Sequence, residues 1–414
     1  MRYAVPTPNG IDRIDLAYAR HFIAAQNSAT AGVFLYGLQP ALLEIPSLMP
    51  LLADIDKMWR DGMQSSGPTY DGVKKVLLSG APDLPGRRGL LERFDTKLRT
   101  FARRLVPFRI LNLRAFRRAL LERLPTGAVF VHTTHYPLEY LFRWLEFRRD
   151  VKAVFFIHDL LPLQFPEYFE PTHIAWHRRS LDIFARYGHA AIVNTHVVER
   201  QLLDFLHTRS RHDVRVLVSP LPPDPTFTAP HKRDPDLAEV PYFVMCGTIE
   251  PRKNQLMLLQ AWRELARQRG ARTPKLVLIG KRGWENENVI DLLDRSLEIR
   301  NHVIEVAGLP TSAMVRLIAG ARALLMPSFA EGYGLPIMEA CAVGTPVIAS
   351  DIPVFREIAS HATFRHPLDG RGWLAAVQAF AEEQDRNLSA PRSDAFQPTE
   401  LDYFSQVESF IRSL

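Results

Sequence analysis

The chain has 414 residues, of which 47% are hydrophobic and 23% charged, and it carries a formal net charge of +6. This is the composition of an ordinary folded protein, and the length suffices for two domains with separate cores. No run of about eighteen apolar residues occurs, and the amino terminus lacks a secretory-signal layout, so we expect neither a membrane-spanning helix nor secretion. Two cysteines in apolar contexts, Cys246 and Cys341, fit a cytoplasmic protein without disulfides.

The amino terminus predicts a short or incomplete first strand at residues 2–5, then a turn and a helix. Gly10 lies in that turn, where glycine permits a tight bend but is equally often only structural. Asp12 falls in the first turn of the following helix, where a carboxylate interacts favourably with the helix dipole.

The amino-terminal half contains a series of short apolar runs that predict strands. Because helical patterns separate these runs, we expect a parallel, Rossmann-like sheet. The predicted strands are 32–36, 128–131, 153–157, 190–194 and 214–218.

A strongly basic segment spans residues 87–123. It interleaves twelve cations with leucine, phenylalanine and isoleucine, a pattern that suits an anionic membrane surface. A solvated helix face explains it equally well, and RNA binding is remote because no RNA-binding motif accompanies the arginines. The cations are Arg87, Arg88, Arg93, Lys97, Arg99, Arg103, Arg104, Arg109, Arg114, Arg117, Arg118 and Arg123.

Polar residues follow two of the predicted strands in this half. His158 and Asp159 end an apolar strand and precede a proline loop, so His158 can bond a hydroxyl, and Asp159 can orient the ring or cap the next turn. A histidine satisfied structurally by its neighbours is the alternative. His132 and His135 form a weaker candidate of the same kind, for acceptor hydroxyls.

Residues 219–239 are rich in proline and polar residues. We expect them to lack regular structure and to link two domains. They include a D-x-D pattern, Asp234 and Asp236, whose place in a linker makes it a weak metal site. We therefore predict chemistry without a metal.

A strand, a loop with two adjacent cations and a helix are predicted over residues 243–267. The loop contains Gly247, Thr248, Arg252 and Lys253, and the following helix is amphipathic, so the loop is held at a strand end. Two cations fixed there can stabilise a diphosphate without a metal. The alternative, a solvated basic helix start, is electrostatically unfavourable at a helix amino terminus.

The carboxyl-terminal half alternates strands and helices as a parallel doubly wound sheet does. Strands are predicted at 275–279, 303–306 and 322–326, and helices at 254–267, 286–299 and 311–319. The sequence EGYGLPIME at 331–339 then predicts a turn that opens into a helix, whose amino terminus can bind an anion. Taken alone, its two glutamates could also be solvated or capping groups.

Residues 240–360 resemble the donor site of retaining GT-B glycosyltransferases, particularly glycosyltransferase family 4. The stretch GTIEPRKN at 247–254 is similar to a signature of bacterial mannosyl- and rhamnosyl-type members, although Thr248 stands near where many relatives have an arginine. The resemblance implies that Glu331 lies beside the donor sugar and Glu339 binds ribose. It also makes Gly10 part of a loop near the donor phosphate and His158 a residue near the donor sugar.

The predicted function is retaining, metal-independent transfer of a hexose, with mannose from GDP-mannose favoured, to a surface polysaccharide or lipid-linked glycan. A GT-B epimerase or hydrolase, or a weakly active partner subunit, is the alternative. We expect no cofactor besides the nucleotide sugar, no nucleic-acid partner, and a cytoplasmic protein that can bind the inner membrane face. The predicted donor-binding residues are Gly10, Gly247, Thr248, Arg252, Lys253, Glu331, Gly332, Tyr333, Gly334, Leu335 and Glu339.

The resemblance also implies the domain organisation of an α/β GT-B protein. Two Rossmann-like doubly wound domains, 1–220 for the acceptor and 241–398 for the donor, would face a cleft and be joined by a linker at 221–240. An apolar helix at 399–414 would cross back to the first domain.

Overall fold

The computed structural model describes residues 8–24, 31–36, 39–61, 70–79, 113–134, 139, 142–382 and 398–414. The chain forms two compact units. The amino-terminal unit comprises Met1–Trp59, Leu91–Pro220 and Leu401–Leu414, and the carboxyl-terminal unit comprises Arg60–Leu90 and Leu221–Glu400.

The amino-terminal unit is built on a parallel sheet that, over the described residues, has the strand order β3-β4-β5-β6. Its strands match the predictions within one or two residues. The predicted strand at 32–36 is also present, but it pairs antiparallel with its neighbour in a separate hairpin, because only two residues, 37 and 38, separate the paired strands. The strands are β1 (Ala31–Tyr36), β2 (Gln39–Glu44), β3 (Val129–His132), β4 (Lys152–Phe156), β5 (Ala190–Val193) and β6 (Arg215–Val218).

Amphipathic helices cover this sheet and bury aromatic side chains against it. Trp144, Phe184 and Phe155 are among the side chains in its core, which explains why β4 and β5 are apolar at nearly every position. The helices described in this unit are Gly10–Ala24, Ile45–Asp61, Leu113–Arg123, Leu161–Gln164, Pro171–Tyr187, His196–His207 and Glu400–Arg412.

The terminal helix Glu400–Arg412 packs on the amino-terminal unit. Its Tyr403 hydroxyl lies 2.7 Å from the Tyr18 hydroxyl, and the Phe404 ring stacks on His21 at 4.0 Å between centroids. The helix therefore returns to the first unit, as the resemblance implied.

The carboxyl-terminal unit contains a parallel sheet with the order β12-β11-β10-β7-β8-β9 over the described residues. The predicted helix at 286–299 is two helices, because Ser296 adopts an extended conformation and its hydroxyl donates to Glu298 at 2.9 Å. The strands are β7 (Tyr242–Cys246), β8 (Lys275–Ile279), β9 (Val303–Val306), β10 (Leu324–Met326), β11 (Val347–Ser350) and β12 (Thr363–Arg365). The helices are Tyr70–Ser79, Pro225–Thr228, Gln255–Arg269, Glu287–Arg295, Leu297–His302, Thr311–Gly320, Leu335–Ala342, Pro353–Ile358 and Gly370–Glu382.

The predicted linker is partly helical, with short helices at Pro225–Thr228 and Pro235–Leu237. Asp234 caps the second of these by accepting from the Asp236 amide at 3.1 Å. The carboxylates of Asp234 and Asp236 both pair with Lys74 of the helix Tyr70–Ser79, at 2.9 and 2.5 Å. Asp234 also accepts a bond from the Tyr70 hydroxyl at 2.9 Å. The helix Tyr70–Ser79 thus packs in the carboxyl-terminal unit, whereas the sequence analysis placed residues 1–220 in the first domain.

The basic segment is described only in its last part, the helix Leu113–Arg123, where Arg118 pairs with Glu122 at 2.7 Å. Residues 87–112 lie outside the described residues, as do residues 2–5. Across the part of the chain that the structure describes, no helix combines the length and hydrophobicity needed to span a bilayer.

Candidate functional site

The glycine turn 331–334 joins β10 to the helix Leu335–Ala342, as the sequence predicted. Gly334 has φ 119°, which favours glycine, and a Cβ there would lie 2.9 Å from the Phe355 ring. Pro336 occupies the first turn of the helix. Glu331 enters the turn with only 8% of its surface exposed. The turn therefore holds its first carboxylate in a buried position at the carboxyl edge of the sheet.

Three side chains bind the Glu331 carboxylate. Lys253 Nζ and Ser328 Oγ donate to Oε1, the latter at 2.7 Å, and Arg252 Nη1 donates to Oε2 at 2.7 Å. The cations come from the loop after β7 and the carboxylate from the loop after β10, and these two strands are neighbours in the sheet. Parallel pairing thus brings together two motifs that lie 78 residues apart in the chain.

The electrostatics of this cluster keep Glu331 ionised. Burial alone would raise the pKa of Glu331, but the charges of Arg252 and Lys253, with the hydrogen bonds from Lys253 and Ser328, outweigh it and lower the pKa to about 2. The carboxylate is therefore charged at neutral pH and retains acceptor capacity beyond these bonds.

Arg252 is held by groups of the protein on two sides. Nη1 also donates to the Ala330 carbonyl at 3.0 Å, and Nη2 pairs with the buried Glu250 carboxylate at 2.7 Å. Lys253 carries three donors, of which Glu331 takes one. The arrangement makes Arg252 a bridge between two carboxylates. Diphosphate binding by Lys253 is a prediction.

The remaining donor-site candidates lie around the same edge of the sheet. Gly247 has φ 142°, and its carbonyl passes so close to Gly280 that a Cβ on Gly280 would lie 1.8 Å from it. The Tyr333 hydroxyl donates to the Leu221 carbonyl at 2.8 Å, and Glu339 is buried in the helix that follows the turn. Ribose binding by Glu339 and donor contacts by Gly332, Leu335 and Thr248 remain predictions.

In the amino-terminal unit, His158 follows β4 and is buried. Its Nε2 lies 2.8 Å from the Thr133 carbonyl, which follows the adjacent β3. A carbonyl only accepts, so Nε2 carries the proton, and the neutral ring keeps Nδ1 as an acceptor. Burial lowers the pKa of His158, against the opposing charges of Asp15 and Asp159, and so favours this neutral form.

Asp159 caps the next turn, one of its two predicted roles, because its Oδ1 accepts from the Leu161 amide at 3.0 Å. Its backbone carbonyl accepts from His177 Nε2 at 3.1 Å. His177 lies on the helix Pro171–Tyr187, and burial lowers its pKa. The loop that carries His158 is thus anchored on both sides.

The other amino-terminal candidates differ in their surroundings. His132 packs against the rings of Phe130, Phe142 and Phe155, and burial lowers its pKa to about 3, which is the environment of a structural histidine. His135 lies outside the described residues. Gly10 is the first residue of a helix rather than part of a loop before it.

The helix that begins at Gly10 starts with a reciprocal cap. The Asp12 amide donates to Asn9 Oδ1 at 2.8 Å, and the Asn9 amide donates to Asp12 Oδ2 at 3.0 Å. Asp12 is therefore a capping residue in the first turn of the helix.

Sequence reasoning missed four residues of these clusters. Glu250 lies inside the stretch GTIEPRKN, and Ser328 follows the predicted strand 322–326. These positions were the signals in the sequence that could have identified them. Asp15 and His177 lie on helices, and only the fold brings them close to the His158 loop.

Comparison with known proteins identifies the carboxyl-terminal half. The family described as glycosyl transferases group 1 matches residues 230–392. These residues are thus similar to the glycosyl transferases of group 1. They include Glu250, Arg252, Lys253, Glu331 and Glu339.

The curated relatives include bacterial mannosyltransferases. The serotype-specific mannosyltransferase WbdA of Escherichia coli is 29% identical over 263 residues, which cover 57% of this chain and 31% of WbdA. The O-antigen chain mannosyltransferase B of Escherichia coli is 38% identical over 143 residues, covering 34% of this chain and 37% of that protein. The chain thus spans about a third of the length of these curated relatives.

Solved structures share the fold. HepE from Anabaena, in complex with UDP and glucose, superposes with a TM-score of 0.57 at 18% identity, covering 73% of this chain and 82% of HepE. Sucrose-phosphate synthase from Thermosynechococcus elongatus gives a TM-score of 0.55 at 16% identity, covering 81% of this chain and 82% of that one. The group 1 match and these neighbours confirm the predicted GT-B fold and the resemblance to mannosyltransferase-like GT-B glycosyltransferases.

Proposed function

We propose that this chain is a retaining, metal-independent glycosyltransferase that moves a hexose from a nucleotide diphosphate sugar to a hydroxyl of a surface polysaccharide or lipid-linked glycan. The observation that carries the proposal is the buried Glu331 carboxylate, held ionised by Arg252 and Lys253 at the carboxyl end of β10 in the residues that match group 1. A charged acceptor fixed beside cations suits a ligand that has both sugar hydroxyls and a diphosphate.

Mannose from GDP-mannose is the proposed donor. It is supported by the GTIEPRKN stretch and by relatives that are named mannosyltransferases. The HepE structure contains UDP and glucose, so the choice of base is an outcome for experiment.

In this proposal Glu331 accepts hydrogen bonds from hydroxyls of the transferred sugar, and Glu339 accepts them from ribose. Lys253 donates to the diphosphate and stabilises the charge that develops on the departing phosphate. Arg252 holds Glu331 and Glu250 in place and adds its field to the site. The departing phosphate takes the proton of the attacking hydroxyl, because no described residue around Glu331 is placed as an obvious base.

His158 is proposed to accept a hydrogen bond from a sugar or acceptor hydroxyl through Nδ1. The bond from Nε2 to the Thr133 carbonyl sets this tautomer, and the lowered pKa keeps the ring neutral. Membrane association through the basic segment 87–123 is part of the proposal. Binding to anionic vesicles tests it, and added salt should weaken that binding.

A thermal-shift panel of nucleotide sugars, run with EDTA and again with Mg²⁺ or Mn²⁺, tests the donor and the metal. We expect GDP-mannose to stabilise the protein most, equally with and without metal. Absence of any shift with every nucleotide sugar would contradict the proposal.

Turnover assays test the reaction itself. Release of GDP should require a glycan acceptor, and the product should keep the anomeric configuration of the donor, which NMR shows directly. Fast consumption of the donor without acceptor would instead indicate a hydrolase or epimerase.

A further inference from the structure

Asn254, which follows the two cations of the β7 loop, has an unusual backbone. Its φ of 59° and ψ of 35° lie in the left-handed region, and the residue is buried. Among residues other than glycine, asparagine is one of those that adopt this conformation most readily. The residue ends the short helical turn Pro251–Lys253 and starts the helix Gln255–Arg269. The backbone angles of Asn254 therefore set how the turn that carries Lys253 is oriented relative to the helix Gln255–Arg269.

The Asn254 side chain binds two other loops of the sheet edge. Its Nδ2 donates to the Pro327 carbonyl at 3.1 Å and to the Pro367 carbonyl at 2.9 Å. Pro327 directly follows β10, and Pro367 follows β12. One buried amide group thus ties the loop after β7 to loops that follow two other strands.

The loop after β10 is the one that carries Glu331, and a backbone bond reinforces the connection. The Phe329 amide donates to the Arg252 carbonyl at 2.8 Å. Lysine has a flexible stem, so its ammonium is only as well placed as the backbone that carries it. The bonds of Asn254 and Phe329 tie the backbone on either side of Lys253 to the loop that carries Glu331.

We propose that Asn254 is a positioning residue of the donor site, which fixes Lys253 against Glu331 through its two bonds to the Pro327 and Pro367 carbonyls. The inference rests on the proposed function, because Lys253 is there the diphosphate ligand. Asn254 acts on the donor only through the position of Lys253.

Two substitutions at this position separate the hydrogen bonds from the backbone conformation. Asn254→Gly keeps the left-handed conformation without strain and removes both bonds. Asn254→Asp keeps the size and tolerance of this conformation, but a carboxylate accepts only and would face two carbonyl oxygens. We expect donor affinity to fall roughly tenfold in the first variant and about a hundredfold in the second.

A matched control is Asn286→Ala. Asn286 is also a buried asparagine whose Nδ2 donates to this loop, at 2.6 Å to the Ile249 carbonyl, but Ile249 lies four residues before Lys253. Its loss should lower the melting temperature and leave donor affinity within about twofold, as expected for a contact without a positioning role.

Calorimetric titration with GDP-mannose, well below each melting temperature, measures affinity. Acetylation of Lys253 by acetic anhydride, followed by peptide mass spectrometry without nucleotide, measures its placement independently. We expect faster acetylation in both Asn254 variants than in the wild type and in Asn286→Ala. If both variants bind donor and acetylate as the wild type does, Asn254 is only structural. If the wild type binds no nucleotide sugar, the proposed function fails, and the acetylation rates still decide the inference.

Discussion

The two units place polar side chains at the carboxyl ends of parallel strands, but they hold them in different ways. In the carboxyl-terminal unit, Glu331 is held by charged partners, Arg252 and Lys253. In the amino-terminal unit, His158 is held by a backbone carbonyl, that of Thr133, and its loop by another histidine. The first arrangement preserves a charge in a buried site, and the second preserves a neutral ring. In the proposed function, the charged site binds the donor and the neutral ring binds a hydroxyl.

The largest expected effect is at Glu331. Glu331→Gln removes the charge and leaves Lys253 and Arg252 without the carboxylate that they share, so kcat/KM should fall by roughly 10³. Steady-state kinetics measures this, and circular dichroism checks the fold. The partly exposed Glu264→Gln serves as the control, and its kcat/KM should be unchanged. Wild-type activity in Glu331→Gln would remove the charge cluster from the mechanism.

The next effect distinguishes the two cations. Lys253→Met should weaken binding of the nucleoside diphosphate about a hundredfold, because it deletes a charge-assisted bond. Arg252→Lys keeps the charge but cannot bridge Glu250 and Glu331 together. Compared with Lys253→Met, it should therefore lower the melting temperature more and the affinity for the nucleoside diphosphate less. Titration calorimetry and thermal unfolding measure the two quantities. The reverse pattern would make Arg252 the diphosphate ligand.

A smaller effect is expected at His158. His158→Gln keeps a donor for the Thr133 carbonyl but loses the acceptor at Nδ1, so turnover should fall roughly tenfold. Affinity for the nucleoside diphosphate should stay within about twofold, since the ring contacts neither the diphosphate nor the base in our proposal. Equal losses of affinity and turnover would contradict the separation of roles between the units.

The smallest effect is on stability at acidic pH. Burial lowers the pKa of His158 and His177, so below the ordinary histidine pKa the unfolded chain takes up protons that the folded protein does not. Stability is therefore complete above about pH 6.5 and falls below it, by at most about 1.4 kcal/mol per pH unit for each such histidine. Glu331, with its pKa of about 2, stays charged throughout this range.

Melting temperatures between pH 7.5 and 5 measure this dependence. His177→Gln should flatten the curve relative to the wild type. A slope that is the same in His177→Gln and the wild type would show that His177 is not the group that resists protonation.

The candidate donor site was predictable because its chemistry is concentrated in two short stretches. Gly334, Pro336 and the alternation of strand and helix are local signals, and they predicted the turn and helix that the structure contains. The bridging of Arg252 between Glu250 and Glu331 was not predictable, because it depends on side-chain geometry across two strands.

The amino-terminal unit was less predictable for a physical reason. Strand β1 has the same apolar pattern as the strands of the parallel sheet, yet it pairs with β2 in a hairpin. An apolar pattern indicates that a strand is buried, but it does not indicate which strand it pairs with. The helix Tyr70–Ser79 joins the carboxyl-terminal unit through Asp234, a contact 164 residues away in sequence. No local signal encodes such a partner.

The sequence by itself determined the parallel α/β architecture, the glycine turn before the donor helix and the identity of the cations and carboxylates, because these follow from periodicity and from residues a few positions apart. Only the tertiary structure decided which charges meet, which histidine is structural and where each segment packs. Hydrogen bonds and ion pairs depend on distances of a few ångströms between chain segments, and strand order, which local sequence does not specify, sets those distances.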